Sequence, residues 1–230
     1  MADPKKPGPG RSSLLLRATI EGYSGDTDPA HQVLQEWSVT AEVLWYDDEW
    51  EGSEQAGEAR GYLIDLAELM NHPPKGLSLL HILDDEHQDL GELYEVFIDP
   101  ETQHLREDLF PDSFTSRMIY VERLYVEPKW RGQKIGWVIA AHVSHLIGRN
   151  NALVVVIPRP LDVPGKDPRF EKLSPSLQRY YEGLGFRQAL NSQFWWADPQ
   201  FKPVGDRFFQ GRTRVLYRYG QTPTTNGAQP

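Results

Sequence analysis

Alternation of apolar and polar positions predicts most of the strands of this chain. Partial alternation with aromatic and β-branched side chains is typical of strands that bury one face. A continuous apolar run of strand length is typical of a strand buried on both faces. Seven segments fit one of these two patterns: 14–23, 37–48, 61–69, 117–128, 152–158, and the late segments SQFWWAD (192–198) and TRVLYRYG (213–220).

Three further segments have helical patterns. In 76–99 and 133–148 the apolar side chains recur about every 3.6 residues, which predicts amphipathic helices. Segment 174–185 predicts a shorter helix, with Ser174 as its N-cap and Pro175 in its first turn. The acidic, glycine-containing segment 47–61 predicts a hairpin loop, and 100–116 predicts a loop or short helix.

The order of these elements indicates the fold class. Three strands, a helix, a strand, a helix, a strand, a helix and two strands predict an α/β protein of the α+β type. We expect a central mixed sheet of about six to seven strands flanked by helices. Residues 13–220 form one predicted domain, and the polar segments 1–12 and 221–230 are predicted to be disordered tails.

Composition narrows the class of protein. The 230 residues include no cysteine, which excludes disulfides, thiolate metal sites and cysteine nucleophiles. No apolar run reaches the length of a membrane span, and the first residues do not resemble a secretory signal, so we expect a cytoplasmic protein without a membrane partner. No metal site is predicted.

Charge is unevenly distributed along the chain. The formal net charge of −9 argues against a nucleic-acid partner. Residues 115–190 nevertheless carry 12 Lys and Arg against 6 Asp and Glu, whereas the rest of the chain carries 12 against 27. The basic part is suited to a polyanion and the acidic part to a cation, although solvated surface would give the same pattern.

The stretch VEPKWRGQKIG, residues 126–136, joins a predicted strand to a predicted helix. The N-terminus of a helix presents free amides and the positive end of the helix dipole, which together bind phosphate. Glycines at 132 and 136 allow a ligand to approach the backbone, while Arg131 and Lys134 add positive charge. These features predict an anion site at 131–136, suited to a pyrophosphate. The alternative is a purely structural glycine-containing turn with incidental surface charges.

Two motifs in this part of the chain resemble the GNAT superfamily of N-acetyltransferases. The family pattern V-x-P-x-x-R-G-x-G-I-G is similar to residues 126–136, with Lys134 in place of the middle glycine. The family segment Y-E-K-L-G-F is similar to Tyr181-Glu182-Gly183-Leu184-Gly185-Phe186. One helix and one buried strand lie between the two motifs, as in the family. The resemblance covers residues 117–187.

The resemblance implies acetyl-CoA as co-substrate and a set of residues that bind it. The loop would hold the pyrophosphate, and the backbone of the strand before it would pair with the pantetheine arm in a gap between two splayed strands. The implied set is Leu124, Tyr125, Val126, Arg131, Gly132, Gln133, Lys134, Ile135, Gly136 and Ser174. We expect Lys134 to be helical already, because lysine would be costly at positive φ.

The chemistry of acetyl transfer suggests two catalytic candidates. Tyr181 matches the tyrosine that serves as general acid in many members of the family, although it could instead be a packing residue. Glu122 is the candidate general base; two residues from Leu124, it is expected on the same face of the strand. An ordinary exposed glutamate paired with a basic residue is an equal alternative for Glu122.

The acceptor is less determined by the sequence. Acidic segments in the first half favour a cationic amine, which could be a small molecule or a protein amine. A homodimer is left open. Two other classes remain: a degenerate CoA-binding regulatory module, and an interaction protein whose acidic helix 76–99 docks a basic partner.

Overall fold

The computed structural model describes most of the chain between residues 11 and 220. The described ranges are 11–21, 33–47, 50–71, 78–110, 115–147, 151–161, 163, 166–199 and 214–220. The predicted tails at 1–12 and 221–230 lie outside these ranges, except that residues 11 and 12 already belong to the first strand. Among the described residues, no helix is both long and apolar enough to cross a membrane.

Eight strands of the described residues form one mixed sheet, in the order β6-β7-β5-β4-β3-β2-β1-β8. The pairs β1–β8 and β4–β5 are parallel, and the other pairs are antiparallel. The predicted fold class is confirmed, since only the two-residue β6 exceeds the expected number of strands. The strands are β1 (Arg11–Glu21), β2 (Leu34–Asp47), β3 (Trp50–Asp65), β4 (Arg117–Val126), β5 (Leu153–Val156), β6 (Arg187–Gln188), β7 (Trp195–Ala197) and β8 (Arg214–Gly220).

In the described part of the chain, five α-helices cover the two faces of this sheet. They are α1 (Leu66–Asn71), α2 (Leu79–Glu86), α3 (Gln88–Phe97), α4 (Ile135–Leu146) and α5 (Pro168–Leu184). Helices α4 and α5 contribute to the core on one face, which we call the α4 face. Helices α1, α2 and α3 contribute to a second core on the other face, which we call the α3 face. Strand β5 and residues 118–121 of β4 are therefore buried on both sides of the sheet.

Strand β3 departs from the sequence prediction at both ends. The segment 47–61 is not a hairpin loop, because β3 begins at Trp50, pairs with β2 from there to Ile64, and pairs with β4 from Gly57 to Asp65. The predicted strand 61–69 ends at Asp65, whose side chain accepts hydrogen bonds from the amides of Ala67 and Glu68 and so begins α1. A capping carboxylate thus converts the apolar end of the predicted strand into a helix.

The predicted helix 76–99 is two helices that meet at His87. The backbone of His87 is extended, with φ −160° and ψ 135°, and its imidazole Nδ1 accepts a hydrogen bond from the amide of Asp89. The two helices pack closely, because a Cβ at Gly91 would lie only 2.5 Å from Asp84 Oδ1. The apolar periodicity continues across the break, which is why the sequence reads as one helix.

Helix α5 begins six residues earlier than predicted. Asp167 is its N-cap and accepts a hydrogen bond from the amide of Arg169, with Pro168 in the first turn. Ser174 is therefore inside the helix, and its hydroxyl donates to the carbonyl of Phe170 at 2.9 Å. The prediction of Ser174 as N-cap is wrong, because Asp-Pro at 167–168 provides the same start signal as Ser-Pro at 174–175.

Candidate functional site

Strands β4 and β5 lie side by side for only part of their length. Among the described residues they pair at four positions, from Met118↔Leu153 to Val121↔Val156. Beyond Val121, strand β4 continues to Val126 with β3 as its partner on the other side. The chain after β5 therefore leaves a cleft beside the second half of β4, as expected for two splayed strands.

A bulge in β4 marks the point where the cleft begins. Gly61 of β3 pairs with Val121, whereas the preceding Arg60 pairs with Arg123, so that Glu122 is the extra residue. Glycine is required opposite this bulge, since a Cβ at Gly61 would lie 1.9 Å from the carbonyl oxygen of Tyr120.

The bulge also reverses which side chains face which helices. Before it, Val121 packs in the core of the α4 face and Tyr120 in the core of the α3 face. After it, Leu124 packs against the α4 face. The expectation that Glu122 and Leu124 share a face is wrong, because one inserted residue shifts the alternation by one.

The turn after β4 is held to the strand by Arg131. Its Nε donates to the carbonyl of Val126 at 2.9 Å, and its guanidinium lies 5.5 Å from the centroid of the Tyr125 ring. Arg123 stacks on the same ring at 5.2 Å. Both contacts are cation–π interactions, which fix the positive charge beside the cleft. Gly132, at φ +78°, allows the turn to fold back.

Lys134 is in the left-handed conformation, with φ 64° and ψ 14°, and is the N-cap of α4. The expectation of a helical Lys134 is therefore wrong. Left-handed backbone costs a lysine on the order of 1 kcal/mol or more, so the middle glycine of the family pattern would fit this position better. The carbonyl of Lys134 accepts from the amides of Trp137 and Val138, and the side chain of Lys134 makes no capping hydrogen bond.

Helix α5 supplies the opposite wall and brings two tyrosines to the cleft. Tyr180 and Tyr181 meet edge to face with centroids 5.4 Å apart, and Tyr181 also contacts Phe186. A Cβ at Gly136 would lie 2.7 Å from the Tyr180 hydroxyl oxygen, so glycine is needed where α4 and α5 approach. Burial raises the pKa of Tyr181 to about 12 and raises that of Tyr180 as well. Both phenols are therefore protonated at neutral pH.

These parts enclose a cavity of about 640 Å³ between the second half of β4, the N-terminus of α4 and one side of α5. Most of the predicted site residues come together in its lining: Leu124, Tyr125, Val126, Arg131, Gly132, Lys134, Ile135, Gly136 and Tyr181. Gln133 is exposed in the turn, and Ser174 and Glu122 are not among the lining residues.

Sequence reasoning missed a second group of lining residues. From α5 these are Leu173, Ser176, Leu177 and Tyr180, and from the segment after β5 they are Arg159, Pro160, Leu161 and Val163; Trp130 and Trp137 complete the lining. The α5 residues follow the spacing i, i+3, i+4, i+7, which is one stripe of a helix. This spacing is visible in the sequence, but a helix predicted to begin at Ser174 leaves out Leu173, the first residue of the stripe.

Glu122 is on the opposite side of β4 from this lining. Its carboxylate makes two contacts with the Arg60 guanidinium, at 3.1 and 3.3 Å. Close by, the Tyr62 hydroxyl donates to Glu86 at 3.3 Å. Burial, with contributions from the carboxylates of Glu86, Glu36 and Glu122, raises the pKa of Tyr62 to about 12. Three acidic side chains therefore act electrostatically on one phenol near the β4 bulge.

The chain was also compared with known proteins. Comparisons with protein families, with curated proteins and with solved structures found no match in any of the three. The assignment of a function therefore depends on the motifs and on the geometry of the cavity.

Proposed function

We propose that the protein is a GNAT-type N-acetyltransferase, which transfers the acetyl group of acetyl-CoA to a primary amine by direct attack in a ternary complex. One observation carries the proposal: a cavity at the point where β4 parts from β5, between the N-terminus of α4 and a buried tyrosine. Because the sequence contains no cysteine, an acyl-cysteine intermediate is excluded.

The cavity has the groups that a CoA-like co-substrate requires. Ile135 and Gly136 line it at the positive end of α4, and Arg131 and Lys134 add charge, which favours a pyrophosphate there. Leu124, Tyr125 and Val126 line it from a strand that lacks a β5 partner at this level, so amide groups of a pantetheine arm could pair with their backbone. Acetyl-CoA supplies the thioester; being made inside cells, it also leads us to propose a cytoplasmic location.

Tyr181 is the proposed general acid. Its pKa of about 12 keeps the phenol protonated, so it can donate a hydrogen bond where a thiolate leaves. A free thiol has a pKa of about 8.5, so full proton transfer from this phenol would be uphill in water. We therefore assign Tyr181 to stabilisation of the leaving sulfur by hydrogen bonding more than to early proton release.

Deprotonation of the acceptor and stabilisation of the oxyanion fall to other groups. An alkyl ammonium with a pKa of about 10.4 must lose a proton before it can attack. Glu122, at the bulge, is the proposed base for an amine that approaches from the α3 face. Backbone amides near Leu124 to Val126 are the proposed donors to the oxyanion.

A cationic acceptor fits the charge around the bulge. Glu36, Glu86 and Glu122 all act electrostatically on the Tyr62 phenol, and together they form a group of negative charges around it. Such a cluster raises the local concentration of a cationic amine over neutral competitors.

A catalytically degenerate CoA-binding module is the second candidate. The ion pair between Glu122 and Arg60 favours it, since the guanidinium occupies the carboxylate that would have to accept the proton of the amine. A module would bind CoA and transfer nothing.

Mass spectrometry of an amine library incubated with the protein and acetyl-CoA tests the proposal. We expect at least one cationic amine to gain an acetyl group. CoA binding by the parent with no acetylated product would support the module, and the absence of both would remove the proposal.

Tyr181→Phe tests the acid. The variant keeps the ring contacts with Tyr180 and Phe186 and removes only the hydroxyl. We expect turnover to fall about a hundredfold while the Kd for acetyl-CoA stays within about twofold. Tyr94→Phe is the matched control, because its hydroxyl bonds Gln103 on the α3 face. Equal turnover in Tyr181→Phe and the control would exclude Tyr181 as the acid.

A further inference from the structure

A buried carboxylate connects three elements at the base of the cleft. Oδ2 of Asp89, in the first turn of α3, accepts a hydrogen bond from the Tyr120 hydroxyl at 2.8 Å and one from Arg159 Nη2 at 2.9 Å. Asp89 is only 8% exposed. The neighbouring imidazole of His87 stands 3.9 Å from the same oxygen.

Tyr120 and Arg159 lie on either side of the point where β4 and β5 separate. Tyr120 on β4 is paired with Val155, one step before the final pair Val121↔Val156. Arg159 comes three residues after Val156, where the chain has left the sheet, and it lines the cavity together with Pro160 and Leu161. The cluster therefore spans the point at which the two strands separate.

Strand hydrogen bonds cannot fix the wall formed by residues 159–161, because β5 ends at Val156. The amide of Arg159 donates to the carbonyl of Ile157, which is a local turn, and the contact from Arg159 to Asp89 ties this wall to α3. A charge-assisted hydrogen bond to a largely desolvated carboxylate is among the stronger polar contacts available. The cluster thus couples the width of the cleft to the α3 face.

We propose that Asp89 is a positioning residue for the cavity: by holding Arg159 it sets the distance between the second half of β4 and the wall formed by residues 159–161, and so the affinity for CoA. This proposal rests on the proposed function. Asp89 does not line the cavity, so it acts through Arg159.

Asp89→Asn tests the proposal by isothermal calorimetry with CoA at a temperature where all variants are folded. The amide keeps the shape of the carboxylate and loses its charge. We expect the Kd for CoA to rise about tenfold, because a small displacement of a cavity wall is amplified in binding. Asp108→Asn is the matched control, since it neutralises an exposed ion pair with Arg106. Its Kd should equal that of the parent.

Two variants of Arg159 allow the proposal to be tested even if Asp89→Asn does not fold. Arg159 is partly exposed, so Arg159→Gln should fold; we expect it to weaken CoA binding about as much, and Arg159→Lys to restore part of the affinity. A merely structural cluster would lower Tm and leave the Kd of the folded protein unchanged.

The outcomes separate this inference from the proposed function. Parent-like Kd values in Asp89→Asn, or in Arg159→Gln if the first variant does not fold, would overturn the positioning role alone. A parent protein that does not bind CoA would overturn the proposed function and the positioning role with it.

Discussion

The two halves of β4 differ although they belong to one strand. Arg117–Val121 pairs with β3 on one side and with β5 over most of its length on the other, and four of its five residues are buried. Among the described residues, Arg123–Val126 has only β3 as its partner, and all five residues of 122–126 are partly exposed. The bulge at Glu122 separates the halves. The first half is core, and the second half is the wall of a cavity.

The difference shows how one strand can serve both stability and binding. An unpaired strand edge inside a protein needs partners for its amides and carbonyls. In the second half of β4 this edge faces the cavity, so a ligand with amide groups would complete the sheet. The proposed function therefore locates stability in the first half and ligand affinity in the second.

The largest expected effect comes from a substitution that disturbs the bulge between the two halves of β4. In Gly61→Ala the new Cβ would meet the carbonyl oxygen of Tyr120 at 1.9 Å and the amide nitrogen of Glu122 at 2.9 Å. Backbone cannot yield as a flexible side chain can, so we expect the free energy of unfolding to fall by about 4 kcal/mol in urea titrations.

Gly183→Ala is the control for that change. Its Cβ would meet only the edge of the Trp137 ring, at 3.3 Å, and alanine favours the helix. We expect a change within about 1 kcal/mol. Equal unfolding midpoints for the two variants would show that the bulge does not require glycine.

Truncation of one apolar residue in each half should separate stability from binding. Ile119 is fully buried, so Ile119→Ala should lower the free energy of unfolding by about 3 kcal/mol and leave the Kd for CoA within about twofold. Leu124 is partly exposed and lines the cavity, so Leu124→Ala should cost about 1 kcal/mol in stability and weaken CoA binding about tenfold. If both variants lost stability and affinity in the same ratio, the division of β4 would be wrong.

The elements that the sequence predicted correctly are those whose own apolar side chains follow the period of a strand or a helix. Strands β4 and β5 and helix α4 were found because their apolar residues follow the sheet or helix period. Strand β3 was missed over 50–60, where small residues such as Ala56, Gly57 and Ala59 are buried. Small residues carry little periodic signal, yet they let Ile139 of α4 approach β3 at Gly57. Pairing with both neighbouring strands decides such a segment, and propensity does not.

The candidate site was predictable in part for the same reason. The residues of the loop 131–136 are contiguous, so the sequence motif alone is enough to locate the loop. The bulge at Glu122 depends on Gly61, which is 61 positions away in the sequence, and nothing within β4 marks it. The contact between Asp89 and Arg159 likewise spans 70 positions. Long-range contacts of this kind leave no local pattern, which is why the face of Glu122 was predicted wrongly.

The smallest expected effect is a loss of stability at alkaline pH, to which Tyr120 in the first half of β4 contributes. Burial, together with the nearby carboxylate of Asp89, raises the pKa of Tyr120 above its usual value of 10 in the folded protein. The unfolded chain loses this proton first as the pH rises, so the stability from protonated Tyr120 is present below pH 10 and is lost above it, by at most about 1.4 kcal/mol per pH unit. We therefore expect the free energy of unfolding, followed by urea titration between pH 9 and about pH 11, to fall less steeply in Tyr120→Phe than in the parent. If Tyr120→Phe keeps the slope of the parent, the contribution of the buried phenol to alkaline unfolding is refuted.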